Sequence, residues 1–162
     1  MASLIEHADN INIAKHLRDR FPHPYTKQAA QEFLRHATAL PDPGNLAIEA
    51  DGSAVGAIGY VPGHDVERFS AEIGYWLGER FWGRGIGTEA VELLTRYAFE
   101  DLNFLRLFAL PFADNAGSIR VLEKAGFVRE GLLRSSSVKY GLARDQFIYA
   151  RVNPAWTAPA AL

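Results

Sequence analysis

The sequence contains no cysteine, and this absence excludes several kinds of site at once. A disulfide framework, a zinc site built on thiolates and a cysteine nucleophile all require that residue. The five histidines do not replace it, because they show neither the spacing of a metal ligand set nor an H-E-x-x-H motif. The sequence therefore predicts no metal site.

An excess of positive charge is also missing. The 162 residues carry 17 Lys and Arg against 19 Asp and Glu, which gives a formal net charge of -2. A protein that binds the phosphates of nucleic acid needs a basic surface, so nucleic acid is not an expected partner. The N-terminal residues include an acidic side chain and no long apolar run. We therefore expect no secretion signal, no membrane anchor and a cytoplasmic location.

Apolar residues, by contrast, are plentiful enough to build a core. They make up 48% of the chain, and aromatic residues make up 12%. The length fits one domain, since ordinary domains hold roughly 100–200 residues. We predict a single domain over residues 1–162, in which residues 154–162 form a loose C-terminal tail.

Helical spacing and stop signals divide the N-terminal region into two predicted helices. Asn10 can cap the first, over residues 10–20, and Thr26 can cap the second, which the Pro-Asp-Pro-Gly stretch at 41–44 ends. Between them, residues 21–25 read F-P-H-P-Y. Proline cannot continue a helix there, so these residues predict a stiff aromatic loop.

Apolar runs predict strands in the rest of the chain. The predicted strands are 46–50, 53–61, 71–77, 106–110, 127–137 and 145–152, and the first two are joined by a tight Asp51-Gly52 turn. One helix is predicted at 88–100, and another begins at Asn115 and ends at Gly126 in the left-handed conformation. This order predicts an α/β (α+β) fold with a mixed sheet and helices on both faces.

The loop after strand 71–77 is rich in glycine, since residues 82–88 read W-G-R-G-I-G-T. Backbone N–H groups at a helix start can converge on an anion, so this loop is a candidate pyrophosphate site to which Arg84 adds a cation. It is not a dinucleotide fingerprint, which needs glycine where Thr88 stands, and it lacks the Gly-Lys-Ser/Thr of a Walker loop. The alternative is a tight strand-to-helix connection without a ligand.

Three ordered segments resemble a known family. They are E-I-G-Y-W-L at 72–77, W-G-R-G-I-G-T-E-A at 82–90 and N-A-G-S-I-R-V-L-E-K-A-G-F at 115–127. Together they resemble the GNAT superfamily of acetyl-CoA-dependent N-acetyltransferases, especially its ribosomal-protein alanine N-acetyltransferase branch. The resemblance implies a mostly antiparallel GNAT-like sheet, splayed open between the strands at 73–77 and 106–110 to bind acetyl-CoA. Phe21 and Tyr25 resemble that branch's acceptor-side loop and would bind the substrate.

The resemblance also implies which residues hold acetyl-CoA. The backbone of Trp76 and Leu77 would pair with the pantetheine arm as an added strand, and Asn115 is both a helix cap and a candidate contact. The pyrophosphate would be held by Gly83, Arg84, Gly85, Ile86, Gly87 and Thr88. The side chains of Tyr75 and Trp76 are interpreted as core residues.

Glu72 and Ser118 are the candidate catalytic residues. Glu72 is a charged residue in an apolar strand and would accept a proton from the acceptor amine, the alternative being an ordinary ion pair with, for example, an arginine. Many relatives carry a tyrosine where this chain has Leu122, so the tyrosine that protonates the leaving thiolate is missing. Ser118 is the nearest substitute as a hydrogen-bond donor to the thiolate and as a cofactor contact, although it could instead bond to Asn115.

The predicted function is an N-acetyltransferase in which a primary amine attacks the thioester of acetyl-CoA directly within a ternary complex. The amine belongs to a protein N-terminus or to a small molecule. No acyl-enzyme is expected, since neither a cysteine nor a Ser-His pair is evident. The alternative, favoured by the missing tyrosine, is a non-catalytic acyl-CoA-binding module or sensor. The acceptor remains open, as does the choice between monomer and homodimer.

Overall fold

A six-stranded sheet of order β1-β2-β3-β4-β6-β5 forms the centre of the computed structural model, which describes residues 1–39 and 44–159. The strands are β1 (Asn45–Ala50), β2 (Ser53–Pro62), β3 (Ser70–Leu77), β4 (Arg106–Ala109), β5 (Val128–Lys139) and β6 (Leu142–Val152). The helices are α1 (Ala2–Ala8), α2 (Ile11–Ala14), α3 (Lys27–Ala37), α4 (Ile86–Glu100) and α5 (Ala116–Lys124). Strand neighbours are antiparallel except β3 and β4, which confirms the mixed, mostly antiparallel sheet. Within the described ranges, no helix has the length and apolarity needed to cross a membrane.

The N-terminal region differs from the prediction. Instead of one helix over residues 10–20, α2 has four residues, and Asn10 caps it by accepting a hydrogen bond from the Asn12 amide. The predicted helix was too long because, after α2, the side chains of Arg18 and Asp19 form ion pairs with two different strands, β3 and β5. The sequence analysis also missed α1, although Asn10 marks the boundary that separates it from α2.

The remaining element boundaries shift by a few residues. Thr26 caps α3 as predicted, since its hydroxyl accepts a hydrogen bond from the Ala29 amide at 3.2 Å. The helix α4 begins at Ile86 rather than at residue 88, because Gly85 adopts a φ of 85° and serves as the N-cap. The predicted break at Pro41-Asp42-Pro43 lies outside the described residues.

The two hairpins are closed by turns of the same kind. Asp51 and Gly52 have φ angles of 52° and 73°, as the sequence predicted for a two-residue turn. Tyr140 and Gly141 have φ angles of 52° and 77°, so the last hairpin is tighter than predicted. Its strands extend to Lys139 and from Leu142 because both turn residues accept the left-handed conformation.

The C-terminal segment is not loose throughout. The indole N–H of Trp156 donates to the Asn103 carbonyl at 3.0 Å, and its ring packs against Phe69 with centroids 5.3 Å apart. This anchor corrects the prediction for the first part of residues 154–162. Residues 160–162 lie outside the described part.

The sheet separates two hydrophobic clusters. On one face, α4 and α5 pack against Ile73 and Leu77 of β3, and Tyr75 lies at the edge of this cluster. On the other face, α1, α2 and α3 pack against Ala57 and Trp76. Because successive side chains of a strand point to opposite faces, the odd-numbered residues of β3 face α4 and α5 and the even-numbered residues face α1 to α3.

The two halves of the sheet are joined by very little pairing. The parallel ladder between β3 and β4 has three residue pairs, Ser70 with Arg106, Ala71 with Leu107 and Glu72 with Phe108. Beyond Glu72, β3 continues for five more residues along β2 but no longer pairs with β4. The sheet is therefore splayed at the position that the family resemblance implied.

His16, in the segment after α2, has a buried Nδ1 atom with no hydrogen-bond partner among the described residues. Burial lowers the pKa of this imidazole, although the Asp114 carboxylate acts in the opposite direction. The positive charges of Lys15 and Arg144 add to the lowering. The folded protein therefore favours the neutral ring.

The neutral His16 ring makes stability depend on pH. The unfolded chain takes up a proton on this imidazole as the pH falls through about 6.5, whereas the folded protein resists it. We expect the free energy of unfolding to fall between about pH 7.5 and about pH 5.5, and His16→Gln to reduce that fall. Urea denaturation at both pH values measures the effect, with His36→Gln as the control, since the His36 side chain is 68% exposed. An equal fall in the wild type and His16→Gln would contradict this account.

Candidate active site

The free edge of β3 faces a cleft. The Gly78 amide donates to the Val55 carbonyl of β2 at 2.8 Å, and hydrogen-bonded pairs alternate along an antiparallel ladder. The backbone groups of Trp76 therefore point towards β2, whereas those of Tyr75 and Leu77 point away from it, towards the gap left by β4. Strand edges of this kind accept an extended ligand as an additional strand.

The end of this edge is closed by a tryptophan. The indole N–H of Trp82 donates to the Leu77 carbonyl at 2.7 Å, so that carbonyl is already used. The N–H of Leu77 and both backbone groups of Tyr75 remain directed at the cleft. Trp76 and Leu77 were the two residues predicted to pair with a pantetheine arm. The backbone N–H of Leu77 faces the cleft, whereas the backbone groups of Trp76 pair with β2.

The glycine loop leads straight into α4 and leaves its first amides uncapped. The first bond of the helix runs from the Glu89 amide to the Gly85 carbonyl, and no side chain caps this terminus. The N–H groups of Ile86, Gly87 and Thr88 therefore have no partner within the helix. Together with the helix dipole, these three donors favour a bound anion.

The glycines of this loop serve two different purposes. Gly83 and Gly85 have φ angles of 74° and 85°, and a Cβ at either position would meet no atom within 4 Å. Glycine is required there by backbone conformation, not by crowding within the protein. Gly87 is buried instead, and a Cβ there would lie 3.5 Å from Val121, so it sets the packing of α4 against α5.

Arg84 lies beside these amides but is not a free charge. Its guanidinium is 3.8 Å from the Asp51 carboxylate of the β1–β2 turn and 5.3 Å from the centre of the Phe81 ring. The side chain is half-exposed, so these contacts hold it near the loop without excluding a ligand.

Ser118 lies on the opposite side of the cleft, at the start of α5. The side chain of Asn115 caps this helix by accepting a hydrogen bond from the Ser118 amide at 3.1 Å, as predicted for the cap. That bond uses the backbone of Ser118 and not its hydroxyl. Leu122 lies one turn later on the same side of α5 and is fully buried, so the position where many relatives have tyrosine belongs to the core.

The hydroxyl of Ser118 instead meets Tyr75. The two hydroxyl oxygens are 2.8 Å apart, and the Tyr75 hydroxyl also lies 3.2 Å from the Ser118 carbonyl. Burial raises the pKa of Tyr75, which its hydrogen bond to Ser118 only partly offsets. Tyr75 was predicted to be a core residue, and this contact was not predicted. The alternation of side chains along β3 predicts that Tyr75 and Trp76 lie on opposite faces of the sheet. No pattern in the sequence predicts that α5 packs against Tyr75.

Glu72 lies on the other face of β3. Its carboxylate pairs with the Arg18 guanidinium, and the two side chains are 30% and 59% exposed. The ion pair that the sequence analysis weighed as the alternative is thus present, with Arg18 as the arginine. Glu72 and Ser118 therefore lie on opposite sides of the sheet: Glu72 projects from one face of β3, and Ser118 of α5 lies against the other face.

The aromatic loop lies on the same face as Glu72. The ring of Phe21 packs against Trp76 at 5.6 Å and against Tyr25 at 5.0 Å. Tyr25 is 4% exposed, so its side chain supports the loop from beneath. A cavity of about 460 Å³ opens beside Phe21, and its other walls include Pro22, His23, Val138 and Tyr140.

An ion pair between a buried lysine and an exposed aspartate also lines this cavity. The Lys139 ammonium, 3% exposed, lies 2.8 Å from the Asp19 carboxylate. Arg18 and Asp19 are adjacent in the chain, so one dipeptide pairs with β3 on one side of the cleft and with β5 on the other. Across residues 1–39 and 44–159, no three His, Asp or Glu side chains are grouped to hold a metal ion.

Comparisons with known proteins match this geometry. Residues 3–128 match the acetyltransferase (GNAT) domain model. "Probable N-acetyltransferase YjcK" of Bacillus subtilis (strain 168) is 45% identical over 85 residues, which are 52% of this chain and 47% of that protein. "Ribosomal-protein-serine acetyltransferase" of Escherichia coli (strain K12) is 32% identical over 83 residues, which are 51% of this chain and 46% of that protein. The chain thus spans about half the length of these curated relatives.

A solved structure extends the match to nearly the whole fold. RimL, described as a ribosomal alpha-N-protein acetyltransferase in complex with coenzyme A, superposes with a TM-score of 0.82 at 21% identity. The superposition covers 93% of this chain and 87% of that one. At this identity the likeness concerns the fold alone. The family model, which matches most of the chain, goes further: the chain belongs to the GNAT acetyltransferase family.

Proposed function

We propose that this protein transfers the acetyl group of acetyl-CoA to a primary amine, and that a protein N-terminus is the preferred acceptor. The observation that carries the proposal is the divergence of β3 and β4, which leaves a free strand edge beside an uncapped helix terminus. The acceptor class rests on the relatives named as ribosomal-protein acetyltransferases.

The residues present fit acetyl-CoA in two independent ways. The N–H groups of Ile86, Gly87 and Thr88 offer uncompensated donors for the pyrophosphate, and Arg84 adds a cation next to them. The open edge of β3 at Tyr75 and Leu77 offers backbone donors and an acceptor for the amide-bearing pantetheine arm. Asn115 and Ser118 would approach the same arm from α5.

Bound acetyl-CoA supplies an activated acyl carbon and a thiolate leaving group. The chain contributes directed hydrogen bonds to this chemistry: the N–H groups on the open edge of β3 can stabilise the negative charge that develops on the thioester oxygen. Ser118 would donate a hydrogen bond to the departing sulfur. The amine forms the new C–N bond as the C–S bond breaks, and no covalent enzyme intermediate is needed.

The acceptor would enter on the opposite face, between Phe21 and Glu72. In this role Glu72 accepts the proton that the acceptor ammonium must lose before the neutral amine can attack. Arg18 already occupies the carboxylate, so an incoming ammonium has to displace or share that contact. Arg18 contacts only the Oε1 atom of Glu72, so Oε2 can accept a hydrogen bond from the acceptor amine.

The activity is tested by measuring CoA release in a panel of amines. The panel contains peptides with a free N-terminal Ala or Ser, the same peptides with a blocked N-terminus, a polyamine, a free amino acid and an aminoglycoside. We expect release above the rate of hydrolysis with the free peptides and none with the blocked ones. Binding of acetyl-CoA without release for any amine would contradict the proposal and favour a non-catalytic sensor.

A second prediction concerns the pyrophosphate site. Gly85→Asp and Gly85→Asn place side chains of the same shape at a positive φ that both residues tolerate better than most, so they differ mainly in charge. We expect Gly85→Asp to bind acetyl-CoA at least about tenfold more weakly than Gly85→Asn, a difference of about 1.4 kcal/mol. Calorimetric titration measures both affinities, and thermal unfolding confirms that both variants fold. Equal affinities of the two variants for acetyl-CoA would show that the pyrophosphate does not bind at this loop.

A third prediction separates a catalytic Glu72 from a structural one. Glu72→Gln and Arg18→Gln both remove the same exposed ion pair, which contributes little to stability. If Glu72 is the base, we expect Glu72→Gln to lower kcat by about 10²–10⁴-fold while Arg18→Gln changes it far less. Steady-state kinetics with one verified amine provides the comparison. Similar kcat values for the two variants would show that Glu72 is not the base and that its role is limited to the ion pair with Arg18.

A further inference from the structure

Tyr75 is tied to Ser118 more closely than a core tyrosine requires. Its hydroxyl contacts both the side-chain and the backbone oxygen of the same serine, at 2.8 and 3.2 Å. The contact crosses the cleft, because Tyr75 belongs to β3 and Ser118 to α5. The hydroxyl pair therefore links β3 to the helix that follows β4, and under the proposed function the pantetheine arm would pass beside it.

Two proton arrangements satisfy these contacts. In the first, Tyr75 donates to the Ser118 carbonyl and accepts from the Ser118 hydroxyl. The serine hydroxyl proton then points at Tyr75 and is not available to a ligand in the cleft. In the second, Tyr75 donates to the Ser118 hydroxyl oxygen, and the serine proton is free to point into the cleft. An anion in the cleft selects the second arrangement. A hydroxyl that accepts one hydrogen bond is also a stronger donor of another.

We propose that Tyr75 is a positioning residue that donates to Ser118 and thereby directs the Ser118 proton at the sulfur of CoA, so that the pair replaces the tyrosine missing at position 122. The proposal rests on the proposed function. As the amine forms the C–N bond and the C–S bond breaks, the electron pair of that bond goes to sulfur, and the thiolate accepts a hydrogen bond from Ser118. The thiolate is protonated by solvent on release, so no proton passes through Tyr75.

The surroundings of the pair suit this role. Burial keeps the Tyr75 hydroxyl protonated by raising its pKa, so it acts as a donor throughout the working range of pH. The Asn115 cap fixes the backbone of Ser118 and leaves the serine hydroxyl to Tyr75. Leu122 fills the space one turn later with an apolar side chain, so it offers the sulfur no competing donor.

The test compares the binding of CoA with that of desulfo-CoA, which lacks the sulfur, at an alkaline pH at which the CoA thiol is ionised. We expect the wild type to prefer CoA by at least about tenfold, as a hydrogen bond to a charged group provides. Tyr75→Phe and Ser118→Ala should each remove most of this preference, measured as the ratio of the CoA and desulfo-CoA affinities of the same variant. The double variant should lose no more than either single one, since the two hydroxyls act as a unit.

The matched control is Tyr149→Phe. Tyr149 is also a buried tyrosine that donates to a side chain on α5, but its partner is Glu123, at the far end of that helix. We expect Tyr149→Phe to keep the preference for CoA even if it lowers stability. With a verified amine, Tyr75→Phe should lower kcat by about tenfold with the KM for acetyl-CoA unchanged.

Each outcome identifies what failed. If neither CoA nor desulfo-CoA binds the wild type, the proposed function itself is wrong. If both bind equally well to the wild type, or if Tyr75→Phe retains the full preference for CoA, the role of Tyr75 is overturned although the protein still binds the nucleotide.

Discussion

The structure depends on the point where β3 and β4 part after three pairs. A backbone N–H or C=O group that does not pair within a sheet needs another hydrogen-bond partner. An interior strand with one unpaired edge therefore requires a ligand or water along that edge. Under the proposed function, the amide-bearing pantetheine arm of acetyl-CoA would provide those partners. The short ladder also explains why the loop after β3 ends beside the cleft: the strand has run past its neighbour before the chain turns into α4.

The alternation of side chains along β3 gives the cleft two chemically different faces. Tyr75 and Ser118 meet on the face covered by α4 and α5, together with the glycine loop. Glu72 and Phe21 lie on the face covered by the N-terminal helices. Under the proposed function, acetyl-CoA and the acceptor amine would approach from these two faces, which the two-residue period of one strand keeps apart.

Contacts outside the sheet hold the two halves together. The Arg18-Asp19 dipeptide pairs with β3 and with β5, and Tyr75 reaches α5 from the other face. Most of these bonds are polar and partly exposed, and such bonds contribute modestly to stability. They add directional contacts to the hydrophobic cluster that joins the two half-sheets, in which Ile73 of β3 and Leu107 of β4 both lie.

Local sequence signals predicted the strands, the helices α3 to α5 and their capping chemistry. Turn glycines, the caps at Thr26 and Asn115, and the glycine loop are recognisable because each acts within a few residues of chain. The early end of α2, the Arg18 partner of Glu72 and the hydrogen bond between the Tyr75 and Ser118 hydroxyls depend on the tertiary structure. They join residues far apart in the chain, and such pairs are fixed by how the helices pack on the splayed sheet, which no local pattern records.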